Sequence, residues 1–439
     1  MNDRVLAEQI FLAGVDRVLP DRLINKTMSL YGNDLLISDL SFNLNSVNNI
    51  YVIGAGKASA LMGAEVERIL GEKVTDGHIV VKYGHSCALK KIKVTEAGHP
   101  VPDANGFRAT GSILGIAAMA GSNDLVICLL SGGGSALLAD FPEGSTPEEM
   151  MIVNKLLVNS GATIKEINAV RKHLSAVKGG QLAREVHPAT MITLILSDVT
   201  GDPLDVIASG PTVPDPTTYK QAKEIIAKYD LSASMPGSVT SFLNEGVEGI
   251  RPETPKPEDT VFDKTFNFLI GNNKIALEAA AKKSIELGIN AEIINDRLEG
   301  DITKASEYIV GAALRYKGEI NVPKPLCLLF GGEPTVQVKG MGKGGRNQHL
   351  ALVCSALLRN HKGITMLSAG TDGNDGPTSA AGAVVDCGTY FDAVSQGISP
   401  EEYLINFDSF NFFGKTGGHI ITGPTMTNVM DIIVVIIES

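Results

Sequence analysis

Short aliphatic runs alternate with stretches of helical spacing, and this constrains the fold more than any other feature of the chain. In the first 230 residues the runs are IYVIG (50–54), HIVVKY (78–83), KIKVTEA (91–97), DLVICLL (124–130) and MITLILS (191–197). Amphipathic segments such as KASALMGAEVERIL and FRATGSILGIAAMAG lie between them, with apolar positions three and four apart. Strands that are apolar on both faces and joined by helices predict a parallel sheet covered on both sides, the doubly wound Rossmann-like α/β class.

Residues 252–259 read PETPKPED, with three prolines and four charges in eight positions, which is the chemistry of a linker or exposed loop. A second alternation follows: FNFLIG, the helix KIALEAAAKKSIELG, AEII, a helix over 301–316, PLCLLFG, TVQV, the helix RNQHLALVCSALLRN, ITMLSAG, GAVVD and IIVVII. Strands outnumber helices toward the end. The expectation is two domains, 1–240 and 260–439, the second a smaller mixed α/β sheet.

Composition narrows the partners. Among 439 residues, 38 Lys and Arg face 49 Asp and Glu, a net charge of −11 with no block of one sign. Nucleic acid and anionic membrane surfaces are poor partners for such a chain. No apolar run approaches the roughly 18 residues a spanning helix needs, and Asp3 and Glu8 interrupt MNDRVLAEQIFLAG, so neither a membrane span nor a signal peptide is read and a cytoplasmic address is expected. The five cysteines are scattered and never form CxxC, which predicts reduced, mostly buried thiols.

Three corners are rich in glycine. LLSGGGSALL places Ser131, Gly132, Gly133, Gly134 and Ser135 directly behind a strand, where bare backbone N–H groups offer a concave donor array to phosphate or carboxylate. IYVIGAGKASA sets Gly54, Gly56 and Lys57 between strand and helix; Ser59 stands where a dinucleotide fingerprint needs its third glycine, and Lys57 supplies a point charge for a phosphoryl oxygen instead. VKGMGKGGRNQHLAL mixes Lys339, Lys343 and Arg346 with four glycines at a predicted helix start, the strongest anion-site pattern in the chain. GKT at 414–416 lacks the upstream glycine of a Walker loop, because position 409 is Ser409, and reads as a turn.

Carboxylates recur behind buried strands. Asp198, Asp202 and Asp205 follow MITLILS; Asp372 and Asp375 follow ITMLSAG. Such aspartates suit Mg²⁺ held by oxygen, and Asp198 and Asp372, the first after each strand, are the preferred ligands. In NAVRKHLSAVKGGQLA, Arg171 is placed to clamp a carboxylate or to pair with a surface acid.

Taken together, GAGKASA, GHPVPD, LLSGGGSALL, NAVRKHLSAVKGGQLA, SDVTGDPLDVIASGPT, GGEPTVQVKGMGKGGRNQ, TDGNDGPTSAAGA and FFGKTGGHIITGPTMTN resemble the class II glycerate kinases, the group with a MOFRL C-terminal domain. The motifs run in order from about residue 51 to 428. The resemblance implies transfer of the γ-phosphoryl group of ATP to D-glycerate with Mg²⁺, giving 2-phosphoglycerate, in a cleft between two domains. It implies that Lys57 and Arg346 are the catalytic cations and that residues 131–135 form the glycine-rich loop. ATP and D-glycerate are then the small-molecule partners, a homodimer is left open, and Asp198 is the candidate base or orienting carboxylate. Lys57→Ala and Arg346→Ala are each expected to cut turnover by orders of magnitude with the fold intact.

Two other readings compete. An NAD(P)-dependent hydroxypyruvate reductase would suit a doubly wound domain but needs an acid closing the second strand, where HIVVKY has Lys82. A sensor of phosphorylated carbohydrate would bind without consuming ATP and leaves the aspartate clusters unexplained.

Overall fold

The computed structural model describes residues 2–438. Its strands in chain order are β1 (Met28–Tyr31), β2 (Asp34–Ile37), β3 (Leu40–Asn43), β4 (Ile50–Ala55), β5 (Asp76–Lys82), β6 (Ile92–Ala97), β7 (Leu125–Leu130), β8 (Thr190–Leu196), β9 (Thr265–Gly271), β10 (Asn290–Leu298), β11 (Leu326–Gly332), β12 (Ile364–Gly370), β13 (Gly382–Asp386), β14 (His419–Ile420) and β15 (Asp431–Ile437). The chain forms two compact units, Leu23–Ile270 and Met1–Arg22 with Gly271–Ser439.

In the larger unit, β1 to β3 make a small antiparallel sheet, and a six-stranded sheet runs β6-β5-β4-β7-β8-β9. Counted from β4, this is the doubly wound order 3-2-1-4-5-6. The pairs β5/β6, β4/β5, β4/β7 and β7/β8 are parallel. β4 and β7 are buried at every residue, as strands covered on both faces must be. The order reverses between them, which opens a crevice outside their carboxyl ends.

The alternating pattern did not announce a helical cluster inserted between β7 and β9. Helices Pro147–Asn159, Ile164–His173, Tyr219–Lys228 and Gly237–Val247 share a core that includes Val153, Leu157, Val170, Ala222 and Val239. The first three begin with capping boxes at Thr146, Thr163 and Thr218, which satisfy N–H groups that would otherwise lack partners.

The expected linker is instead packed into this unit. Thr254 is buried and donates to Asp215 Oδ2 at 3.1 Å, Glu253 meets His173 Nε2 at 2.8 Å, and Lys256 donates to the Asp215 carbonyl at 2.9 Å. Charges and prolines mark solvent only when they find no partner, and here they find several. The division therefore falls after Ile270.

The smaller unit carries a mixed sheet ordered β10-β11-β15-β12-β13-β14, parallel at β10/β11 and antiparallel at its other pairs. Chain residues 1–22, expected in the first domain, complete this unit. Helix Asp3–Arg17 buries Ala7, Ile10, Phe11 and Val15, packs on helix Asn273–Glu286, β12 and β15, and ties Arg4 to Asp386 at 2.7 Å. Gly14 allows close approach, since a Cβ there would meet the Ala276 carbonyl and Ile432 at 3.0 Å. TVQV forms no strand beyond a single bridge at Thr335, and GKT lies at the end of helix Ser409–Thr416 rather than in a turn.

Cys128, Cys327 and Cys354 are buried, and burial pushes their thiols up to about 12; Cys87 and Cys387 are partly exposed. Among the described residues no helix is long and apolar enough to cross a membrane.

Candidate active site

The carboxyl ends of β4, β7 and β8 bring together the corners that the sequence marked separately. The turn after β4 and the loop after β7 are stitched by backbone bonds: Ser131 N–H donates to the Ala55 carbonyl at 3.1 Å and Lys57 N–H to the Gly132 carbonyl at 2.9 Å. Ser131 Oγ accepts from Ala58 N–H at 3.0 Å and lies 2.9 Å from Ser59 Oγ, which reaches the Leu129 carbonyl. This packing explains the glycines. A Cβ on Gly54 would strike the Leu129 carbonyl and one on Gly56, at φ 137°, would strike Ser131. Gly133, at φ 84°, turns the loop into the short helix Gly134–Leu137.

Lys57 emerges from this frame half-buried, and its ammonium meets no acceptor among the described residues. The N–H groups of Gly132 and Gly133 likewise meet none. An unpaired cation and two unpaired backbone donors on one frame at a switch point could receive an anion supplied from outside. Asp198, just past β8, lies against Gly132, where a Cβ would overlap its carboxylate.

Ser135 Oγ meets Ser209 Oγ at 2.7 Å, and Ser209 donates to Asn168 Oδ1 at 3.3 Å. One turn along that helix, buried Lys172 lies 3.4 Å from Asp215 and 3.6 Å from Asp205. Arg171 is not part of this chain of contacts: its Nε donates to Asn154 at 2.7 Å, on helix Pro147–Asn159. A helix turns about 100° per residue, so adjacent cations cannot share a face. Lys178 is also internal, bound to the Leu138 carbonyl and to Asp140.

The corner of the smaller unit is built differently. Arg346 opens helix Arg346–Leu358, but its guanidinium holds fully buried Asp431 bidentately, at 2.6 and 2.9 Å, and Glu333 at 2.6 Å. Burial alone would favour losing the proton; Asp431 and Glu333 hold it firmly charged. Two of the helix's first N–H groups are also taken. Asn347 N–H and Gln348 N–H donate to the two oxygens of buried Asp375, at 3.0 and 2.8 Å. The predicted anion site thus contains its own anion. Its glycines serve packing: Gly340 and Gly342 press on Asn406 and Asp408, Gly344 on Ser409 and Gly345 on Asp375. Lys343 is exposed with its ammonium 4.6 Å from the Phe410 ring centre, and Asp372 Oδ1 accepts from Asn374 N–H at 3.0 Å.

Among the described residues no three His, Cys, Asp or Glu side chains converge as a metal cage. Mg²⁺ carried by phosphate oxygens needs only one or two carboxylates and water. Asp198, at the edge of the loop with its carboxylate over Gly132, fits that lesser requirement.

Residues the motif reading passed over stand at the same sheet edge. His99 packs against Gly133, Lys82 ends β5 and His85 follows it, with His85 Nδ1 3.0 Å from the Lys57 carbonyl. The signal existed, because GHPVPD follows the KIKVTEA strand as SGGGS follows its own.

Residues 6–244 match a domain of unknown function, DUF4147, and residues 326–431 match the MOFRL family. The chain is 41% identical over 432 residues to the D-glycerate 2-kinase of Thermotoga maritima, covering 98% of this chain and 97% of that one. It is 41% identical over 423 residues to the glycerate 2-kinase of Pyrococcus horikoshii, covering 96% and 94%. A crystal structure of a glycerate kinase from Thermotoga maritima superposes with a TM-score of 0.88 at 39% identity, covering 99% of each chain. The chain belongs to the MOFRL family of glycerate 2-kinases.

Proposed function

We propose that the protein transfers the γ-phosphoryl group of ATP to D-glycerate, forming 2-phosphoglycerate. The observation that carries this reading is Lys57, its ammonium without an acceptor among the described residues and its backbone bonded to Gly132, on the same frame as the unpaired N–H groups of Gly132 and Gly133 at the β4/β7 switch point. Phosphoryl transfer asks a protein for positioning and positive charge rather than covalent chemistry. In this reading Lys57 and the loop hold the phosphoryl oxygens as a glycerate hydroxyl oxygen bonds to phosphorus and the bond to the ADP oxygen breaks. Mg²⁺ bound through Asp198 would neutralise phosphate charge. Asp198 orients the attacking hydroxyl, which gives up its proton as the new bond forms.

The proposed test is phosphorus NMR of the protein with ATP, Mg²⁺ and D-glycerate. A 2-phosphoglycerate resonance growing with ADP is expected. Consumption of NADH with hydroxypyruvate in the absence of ATP, and no phosphorylated product, would overturn it in favour of the reductase.

A further inference from the structure

The carboxyl edge of the larger sheet is more basic than phosphate binding by Lys57 requires. Lys57 follows β4, Lys82 ends β5 with His85 just beyond it, and His99 follows β6, so three neighbouring strand ends deliver four basic side chains to one rim. His99 occupies a distinct place among them. Its ring lies against the glycine loop, where a Cβ on Gly133 would meet Cδ2 and Nε2 at 3.0 Å. Neither ring nitrogen has a hydrogen-bond partner among the described residues, although the side chain is partly buried.

The charged groups facing the ring are cationic. Burial first, then Lys57, Lys82 and His85, push its imidazolium down to about 4, so the ring is neutral near pH 7. Nearby acids are committed elsewhere. Asp103 accepts from Tyr83 and caps helix Ala104–Met119, and Glu96 accepts from Gly84 N–H. A neutral imidazole offers one donor and one acceptor, whereas an ammonium or imidazolium only donates. That pairing suits a hydroxyl better than a phosphate oxygen. Glycerate carries both a carboxylate and hydroxyls, and the rim supplies cations for the first and one amphoteric group for the second.

Resting on the kinase reading above, we infer that His99 is the specificity residue for the acceptor: it hydrogen-bonds a hydroxyl of the hydroxy acid beside Gly133 while Lys82 and His85 draw the carboxylate. The phosphoryl donor is held on the Lys57 side of the same loop.

The test compares wild type, His99→Ala and His99→Asn in steady-state assays that vary ATP and D-glycerate separately. The expected result is a KM for D-glycerate raised about tenfold or more in His99→Ala, the scale of one lost hydrogen bond, with the KM for ATP within about twofold. His99→Asn, which keeps a donor and an acceptor, recovers part of the loss. An unchanged KM for D-glycerate, or both constants rising together, overturns the inference and leaves the kinase reading standing. Wild type inactive on D-glycerate would defeat the kinase reading. A histidine-detected NMR titration with D-glycerate alone then decides the seat separately: the ring signals missing from His99→Asn shift if it is right and stay fixed if it is wrong.

Discussion

The two glycine-rich corners that carry a cation into a helix look alike in sequence and differ in electrostatic state. After β4, Lys57 and the loop at Gly132 and Gly133 keep their charge and donors unspent. Before helix Arg346–Leu358, Asp431 and Glu333 hold the guanidinium, and Asp375 holds the helix N–H groups. A glycine-and-cation pattern therefore reports a helix start with close packing. Whether it also reports a ligand depends on acids that the fold brings from far along the chain.

The sharpest test of this contrast is Lys57→Ala. Turnover is expected to fall by about a thousandfold, the scale of losing one positioned charge at a transferring group, while the urea midpoint stays at the wild-type value. A matching loss of stability would erase the distinction between the corners. Arg346→Ala should behave oppositely in stability, and this revises the expectation of an intact fold. It strands Asp431, fully buried, without its bidentate partner, a change that costs about 3 to 5 kcal/mol for a broken buried pair. Denaturant unfolding measures it, and a midpoint equal to that of Lys57→Ala would refute the assignment.

Gly132→Ala probes the open corner through shape. The new methyl overlaps the Asp198 carboxylate, so turnover should drop roughly tenfold to a hundredfold, as displacements of about 1 Å do. Retained activity would show that Asp198 is not needed there.

The closed corner has a pH signature. Burial pushes Asp375 up to about 6 from 3.8, despite the hydrogen bonds it accepts. Between those values the folded state binds a proton that the unfolded state lacks, so this residue makes stability fall as pH rises from about 4 to about 6. Asp375→Asn removes the ionisation and leaves one acceptor where Asp375 uses two. Paired unfolding curves should show the variant's stability, relative to wild type, rising between about pH 4 and pH 6, because only wild type loses stability across that window. The smallest effect is expected from Ser59→Ala, which loses the bonds to Leu129 and Ser131 and about 1 kcal/mol.

The contrast also marks what could be read in the chain. Five strands of the larger sheet, its parallel class and the positions of the Lys57 and Ser131–Ser135 corners are legible, because each rests on periodicity or on glycines beside their own strand, whereas FNFLIG, expected in the second domain, is the edge strand β9 of this sheet. The sequence singles out Arg171, yet it is the adjacent Lys172 that faces Asp205 and Asp215, since a single sequence does not say which face of a helix is inside. The segment 252–259 was read as linker because its partners His173 and Asp215 lie some 40 to 80 residues away.

Local pattern determined where strands end, where glycine must stand and that a lysine-bearing glycine corner follows β4. Tertiary structure alone decided that the N-terminal helix belongs to the C-terminal sheet, that Arg346 and its helix are already neutralised, and that His99 joins the glycine loop. The physical reason is range. Backbone preference and hydrophobic period act within a few residues, whereas the charge a side chain meets is set by groups from 13 to 85 positions away in the case of Arg346, placed beside it only when the fold forms.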